Sequence, residues 1–373
     1  MNKKRLFSII LALCLLLTTL AAPGFAAESE PTLAQKAEVL KAANGGAYST
    51  SDEPMTMAEL NEMLINAYGL NADYVKAVGD ADPNTPDSAF FDFGGGGDPK
   101  MPFMRGNLAY VMVKLYELSA HPIDSPRSWA HLDQSGYQDV DVPDRGYPGN
   151  KEAIYLCKKL GVDIPEKSLT ELGFEMPVTK ADFTAAAYSA MQKQMHFSDV
   201  KAGDPHYTAI KFVYCSQITT GLGDGRFGPA EPVTRGQFIT MLCRAYGIPE
   251  AAGDNFADAG STWYTGYLAA VKQRGISNGV GDNQFAPEKI VTLEEMYTLA
   301  YNALLELHAF PGPGKAQDLS AFSDSASVSP WAQTAVKTFA ELGVLVEIDG
   351  KLTPRAAAQH AVMAQLFYNI IGA

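Results

Sequence analysis

Four cysteines, six histidines and three tryptophans in 373 residues are a thin supply of the side chains that build metal centres and thiol chemistry. No His-Glu-x-x-His or Cys-His signature occurs, so zinc-protease chemistry has no basis in the sequence. Positive charge is short too: 29 Lys and Arg stand against 42 Asp and Glu, a formal net charge of −13. That balance argues against nucleic acid or anionic lipid as partner, and any anionic ligand must be held by a few placed cations against the overall field. Beyond the N-terminus there is no run of 18 apolar residues, so no second segment is long enough to span a bilayer.

What is present begins with Lys3, Lys4 and Arg5, an apolar run from Leu6 to Leu20, and small residues ending at Gly24-Phe25-Ala26. This is a secretory signal over 1–27 with cleavage expected near Ala26. Leu13 before Cys14 argues against a lipoprotein. Losing the three cations Lys3, Lys4 and Arg5 takes the charge from −13 to −16. Cys157, Cys215 and Cys243 remain, all in apolar helical patterns. Two readings stand for them: buried free thiols, or a Cys215–Cys243 disulfide within one repeat.

The most informative stretch is Pro229 to Phe238, which reads as a helix start. Thr234 and Gln237 make a capping box, and Val233 and Phe238 make the hydrophobic staple around it. Arg235 is then the first helical residue, beside the positive end of the helix dipole and beside backbone N–H groups expected to lack partners, an arrangement suited to an anion. The logic recurs. Thr56 to Leu60 keeps box and staple with Met57 in the Arg place. Pro177 to Phe183 has cap, staple and the cation Lys180, a point charge without the planar fork of arginine. Arg105-Gly106-Asn107-Leu108 is a weaker echo, because Met104 cannot cap.

Larger units contain these starts. Phe197-Ser198-Asp199, a helix, the turn Gly221 to Pro229 and the helix from Thr234 form one. Phe256-Ala257-Asp258, Trp263, Gly279 to Pro287 and Val291 to Met296 form a second. Phe322-Ser323-Asp324, Trp331, Gly343, Asp349-Gly350 and Ala358 to Met363 form a third, which has lost the box. A period of about 50 to 60 residues means that each unit is too small to bury its own faces and packs on its neighbours. The expected partition is a signal at 1–27, a degenerate region at 28–136, a diverged repeat at 137–195, and repeats at 196–253, 254–318 and 319–373, the last degenerate.

In this order and spacing, Phe-x-Asp, Trp, Gly-Ile, Gly-x-Gly-Asp-Gly-x-Phe-x-Pro and Val-Thr-Arg-x-Gln-Phe resemble the surface-layer homology repeat. The resemblance is strong over the last half of the chain and moderate over 137–195. It implies a mainly α fold of tandem helix-loop-helix repeats: a C-terminal three-repeat, pseudo-threefold helical bundle, with the N-terminal half a diverged repeat set that could be a second three. It implies a secreted protein at the cell wall, with no catalysis and no cofactor, that binds the often pyruvylated secondary cell-wall polysaccharide in grooves between repeats and can meet surface-layer proteins. By the same resemblance the ligand-binding residues are Arg235 and Gln237, the aromatics Trp263 and Trp331, the groove-lining Asp199, Asp258 and Asp324, Gly221 and Gly279, and, more distantly, Lys180. Leu293 and His360 stand where Arg is expected. A ketal carboxylate would take two N–H bonds from Arg235, and a sugar face would pack on Trp263.

Other chemistries compete. The three acids before the turns are also ordinary turn and cap formers. Asp224, Asp282 and Asp349 sit in Gly-Asp turns but lack the alternating acids and closing Glu of a calcium loop. His196, Asp199, Asp204 and His206 could gather around zinc or simply decorate a loop. The alternatives to wall attachment are a surface-layer scaffold that has lost most ligand affinity, and a small wall-active enzyme housed in 28–136 and anchored by the repeats.

Overall fold

The computed structural model describes residues 30–68, 100–119, 137, 148–168 and 170–372. The signal segment lies outside them. The chain divides into two compact units, Met1–Gln194 and Met195–Ala373. Among the described residues regular structure is helical, and extended backbone pairs only through isolated antiparallel bridges.

In the N-terminal unit the helices are α1 (Leu33–Asn44), α2 (Met57–Asn66), α3 (Arg105–Leu115), α4 (Pro148–Leu160) and α5 (Lys180–Gln192). In the C-terminal unit they are α6 (Tyr207–Cys215), α7 (Arg235–Ala245), α8 (Thr265–Gln273), α9 (Leu293–Leu307), α10 (Gln333–Leu342) and α11 (His360–Phe367). Capping boxes form at Thr56/Glu59, Thr179/Asp182, Thr234/Gln237 and Thr292/Glu295, and also at Thr32/Gln35. Met104 and Gln359 cap α3 and α11 without any side-chain bond.

The organising feature of the C-terminal unit is a closed ring of backbone hydrogen bonds. Val291 N–H donates to Val233 O, Ala358 N–H to Val291 O, and Val233 N–H to Ala358 O, each 2.9 Å. These three residues precede the caps of α7, α9 and α11, so three helix starts meet at one point. A cyclic pattern satisfies every polar group of residues whose side chains are 0% exposed. Their staple partners Phe238, Met296 and Met363 are at most 1% exposed. Helix pairing follows the same cycle: α7 packs on α8, α9 on α10, and α11 back on α6. A repeat therefore buries its second helix against the first helix of the next repeat, and the last closes on the first.

The N-terminal unit has an equivalent ring. Phe103 N–H donates to Met55 O (2.8 Å), Val178 N–H to Phe103 O (2.7 Å) and Met55 N–H to Val178 O (2.8 Å). Here α3 packs on α4, and α5 packs back on α1. The weak echo at Arg105 is corrected by this: Met104 supplies no cap, yet Phe103 before it is a full member of the ring. What the ring requires is an extended, apolar residue at the position before the cap, and the cap itself is dispensable.

Candidate functional site

The first helical residue of α7 sits where two repeats meet. Arg235 N–H donates to Lys289 O at 2.9 Å, Gly236 N–H to Pro287 O at 2.8 Å, and Gln237 N–H to Thr234 Oγ1 at 3.2 Å. The expectation of vacant N–H groups at this helix start is thus overturned: the neighbouring repeat's turn supplies the carbonyls that an anion would have replaced. The same holds for α9, where Leu293 and Glu294 donate to Ala356 O and Pro354 O, and for α11, where His360 and Ala361 donate to Glu231 O and Pro229 O.

The Arg235 side chain is turned under that turn and is 4% exposed. Nε donates to Phe285 O at 2.9 Å, the guanidinium lies 4.6 Å from the centre of the Phe285 ring, and Nη1 is 3.4 Å from Glu295 Oε1. Burial lowers its pKa, opposed by the charges of Glu295 and Asp258. Burial alone would raise the Glu295 carboxyl, but the Thr292 N–H, Lys289 and Arg235 outweigh it and hold the group low. At the other two starts, Leu293 is 0% exposed and His360 is 6% exposed, with its Nδ1 3.0 Å from Phe227 O. That carbonyl is the counterpart of Phe285 O. The position is therefore a plug beneath the next repeat's turn, filled by a cation, an aliphatic group or an imidazole.

The three aspartates are clamps within their own repeats. Asp199 accepts N–H bonds from Phe227 (2.9 Å) and Gly228 (2.8 Å), Asp258 from Phe285 (2.8 Å) and Ala286 (2.7 Å), and Asp324 from Leu352 (3.1 Å) and Thr353 (2.7 Å). They hold the far turn and cap no following helix, which corrects the cap reading. Gly221 and Gly279 have φ of +79° and +78°, and a Cβ there would stand 2.5 Å from Arg226 O and 2.1 Å from Gln284 O. Glycine is required at both by backbone conformation and by space. Gln237 serves the capping box, accepting the Thr234 N–H at 2.8 Å.

Trp263 and Trp331 are each 55% exposed, large apolar surfaces left in water. Trp263 packs edge-on against Tyr264, ring centroids 5.0 Å apart, and Tyr264 lies over Gly236, whose Cβ would be 3.0 Å from its ring. The Tyr264 hydroxyl donates to Glu288 at 2.6 Å. At the next junction Ser329, two residues before Trp331, is bound by Glu294 of α9. Each indole therefore borders a junction between a helix start and the neighbouring repeat. Sequence reasoning missed Tyr264, Glu294 and Ser329, and the only signal for them was their adjacency to the indoles and the cap.

In the N-terminal unit Lys180 Nζ is 2.8 Å from Glu59 and 3.2 Å from Glu53. The Lys180 bond, with the Thr56 N–H, holds the Glu59 carboxyl down to about 2, and Glu59 and Glu53 raise the Lys180 ammonium. Lys180 borders a cavity of about 270 Å³ that also touches Ser49, Met55, Glu62, Asn66 and Thr184. Arg105 Nη2 lies 3.9 Å from Asp182. A rule connects both units: a cation at the first helical position faces the capping-box acid of the next start, as in Lys180–Glu59, Arg105–Asp182 and Arg235–Glu295.

The proposed zinc residues are spent separately. Asp204 accepts the Lys201 N–H at 2.8 Å, His206 Nδ1 is 3.1 Å from Gln365 Oε1, and Asp199 clamps its turn. Among the described residues no three His, Cys, Asp or Glu side chains gather as a metal site. Cys157, Cys215 and Cys243 are free and buried, and burial raises all three thiols, Cys215 and Cys243 to about 12.

Rings of helix starts with clamped Gly-rich turns and a half-exposed indole at two junctions define a class of tandem helical repeat modules. Comparison with known proteins matches residues 196–239 and 255–296 to the S-layer homology domain. Similar proteins include the surface-layer 125 kDa protein of Lysinibacillus sphaericus, 31% identical over 44% of this chain and 14% of that protein. S-layer protein EA1 of Bacillus anthracis is 27% identical over 45% of this chain and 19% of its own length. Exoglucanase XynX of Acetivibrio thermocellus is 29% identical over 50% of this chain and 17% of the enzyme. The chain spans between 10% and 20% of the relatives it matches. The matched repeats and the S-layer relatives mark a secreted, cell-surface protein. Among the described residues no helix is long and apolar enough to cross a membrane.

Proposed function

We propose that the C-terminal unit holds this protein on the cell wall without a covalent bond, by binding an anionic, pyruvylated secondary polysaccharide along the junctions between repeats. The observation that carries this reading is the pair of indoles at Trp263 and Trp331, each 55% exposed and each beside a junction in successive repeats. An aromatic face kept in water at a repeated site is suited to packing on a sugar ring. Arg235, buried beneath the first junction, adds a fixed positive charge close to that surface without itself being open to solvent. Gln237, Asp199, Asp258, Asp324, Gly221 and Gly279 act through the shape of the junction. Lys180, neutralised by Glu59 and Glu53, is a poor partner for an anion.

Sedimentation with purified walls, before and after chemical removal of the secondary polymer, tests the proposal. The parent is expected to bind only intact walls, and Trp263→Ala to bind about 10-fold more weakly, for a loss of about 1.4 kcal/mol. Equal sedimentation of parent and variant refutes the role of the indole. One observation favours a second reading, a surface-layer scaffold with little polysaccharide affinity: the plug position stays buried whether it holds Arg235, Leu293 or His360. Undiminished wall binding after polymer removal, or none at all, supports that reading.

A further inference from the structure

The second junction of the C-terminal unit contains a buried carboxylate of its own. Glu294, the second residue of α9, is 4% exposed. Its Oε2 accepts the Ser329 N–H at 2.9 Å and its Oε1 accepts the Ser329 hydroxyl at 2.9 Å. Among the described residues it takes part in no salt bridge. A buried carboxylate without a cation is tolerated only where donors converge on it, so the Ser329 segment is a carboxylate receptor by construction. Trp331 stands two residues further on, 55% exposed. The first junction has Gly236 at the position of Glu294, and the residue two before Trp263 there is the exposed Ser261.

We propose that the second junction is a carboxylate-binding site occupied by the chain's own Glu294, which takes the place of the carboxylate of an acidic sugar and closes this junction to external ligand. Naming an acidic sugar as the excluded ligand rests on the proposed wall-binding function; the existence of the receptor does not. The ligand class is a monocarboxylate small enough to sit between Ser329 and the start of α9, attached to a ring that can lie on Trp331. Of the two junctions flanked by Trp263 and Trp331, only the first would then be free of such an internal carboxylate.

The test uses the full chain, with acetate and formate as probes and no wall present. Glu294→Ala leaves both Ser329 donors unpaired and lowers the unfolding midpoint. Acetate at about 100 mM should then raise the folded-to-unfolded ratio about 10-fold, as a site with a Kd of about 10 mM requires, while chloride at equal ionic strength does not. The parent and Glu294→Gln, whose sites are filled, should gain no more from acetate than from chloride. Ser329→Ala added to Glu294→Ala, which removes the hydroxyl donor and leaves only the backbone N–H, should reduce the gain. Should Glu294→Ala not unfold cooperatively in buffer alone, acetate is expected to restore the transition and chloride to leave it absent. An equal response to acetate and chloride in Glu294→Ala, by either measurement, overturns the proposal. Because walls play no part, that failure is distinct from a failure of wall binding.

Discussion

Replacing Arg235 by alanine and by leucine separates two roles of one side chain. Alanine removes the donor to Phe285 O, leaving a carbonyl at the repeat junction without its partner, which costs about 1–3 kcal/mol. It also removes the cation 4.6 Å from the Phe285 ring, about 0.5–2 kcal/mol. Glu295 keeps Lys289 at 3.0 Å and the Thr292 N–H at 2.9 Å, so it adds little stranded-charge cost. The total for Arg235→Ala is about 2–4 kcal/mol, or roughly 5 to 15 °C in the melting of a unit of this size. Leucine should do better, because the fold already places Leu293 at the equivalent plug, 0% exposed. It fills the space and escapes the desolvation that lowers the Arg235 pKa. Arg235→Leu leaves the same carbonyl unpaired but fills the space, so it is expected to cost about 1 kcal/mol less than Arg235→Ala while deleting the charge. Calorimetry of the C-terminal transition measures both. Wall sedimentation of the leucine variant, folded but uncharged, should fall if the charge attracts polymer. Equal melting of the two variants would refute the plug, and parental wall binding by Arg235→Leu would refute the electrostatic role.

Three further outcomes follow from the same geometry. Asp258→Ala frees two turn N–H groups, Phe285 and Ala286, and should destabilise the C-terminal unit by about 2–4 kcal/mol in urea unfolding. His360 is a base whose folded pKa burial holds below its ordinary value of 6.5. The unfolded chain therefore binds its proton first, so the stability present above pH 6.5 should decline as the pH falls from there toward the folded value. His360→Leu should flatten that part of the pH–stability profile, and an unchanged slope would count against it. The thiols of Cys157, Cys215 and Cys243 should react with a disulfide reagent only after unfolding, because they are buried with raised pKa. Rapid labelling of the native protein, or a Cys215–Cys243 bridge by mass spectrometry, would contradict the packing.

The sequence by itself determined the local parts. Thr234 with Gln237, and Thr292 with Glu295, specify capping boxes because donor and acceptor lie three residues apart on one turn, a distance independent of the rest of the chain. Val233 and Phe238 were legible as apolar residues flanking a cap for the same reason. The repeat spacing and the family resemblance were equally visible, since they are properties of order along the chain. Tertiary structure decided where each of those parts points. That Val233, Val291 and Ala358 exchange hydrogen bonds in a ring depends on residues up to 125 positions apart arriving at one point, as Val233 N–H does at Ala358 O. No local pattern encodes that. The same long-range closure filled the helix start at Arg235 with carbonyls from the next repeat, turned its guanidinium inward, and gave Met104 a place despite its missing cap. A helix N-terminus read alone has free donors; packed against a neighbour's turn it has none, because buried N–H groups take whatever acceptor the adjoining backbone brings within reach.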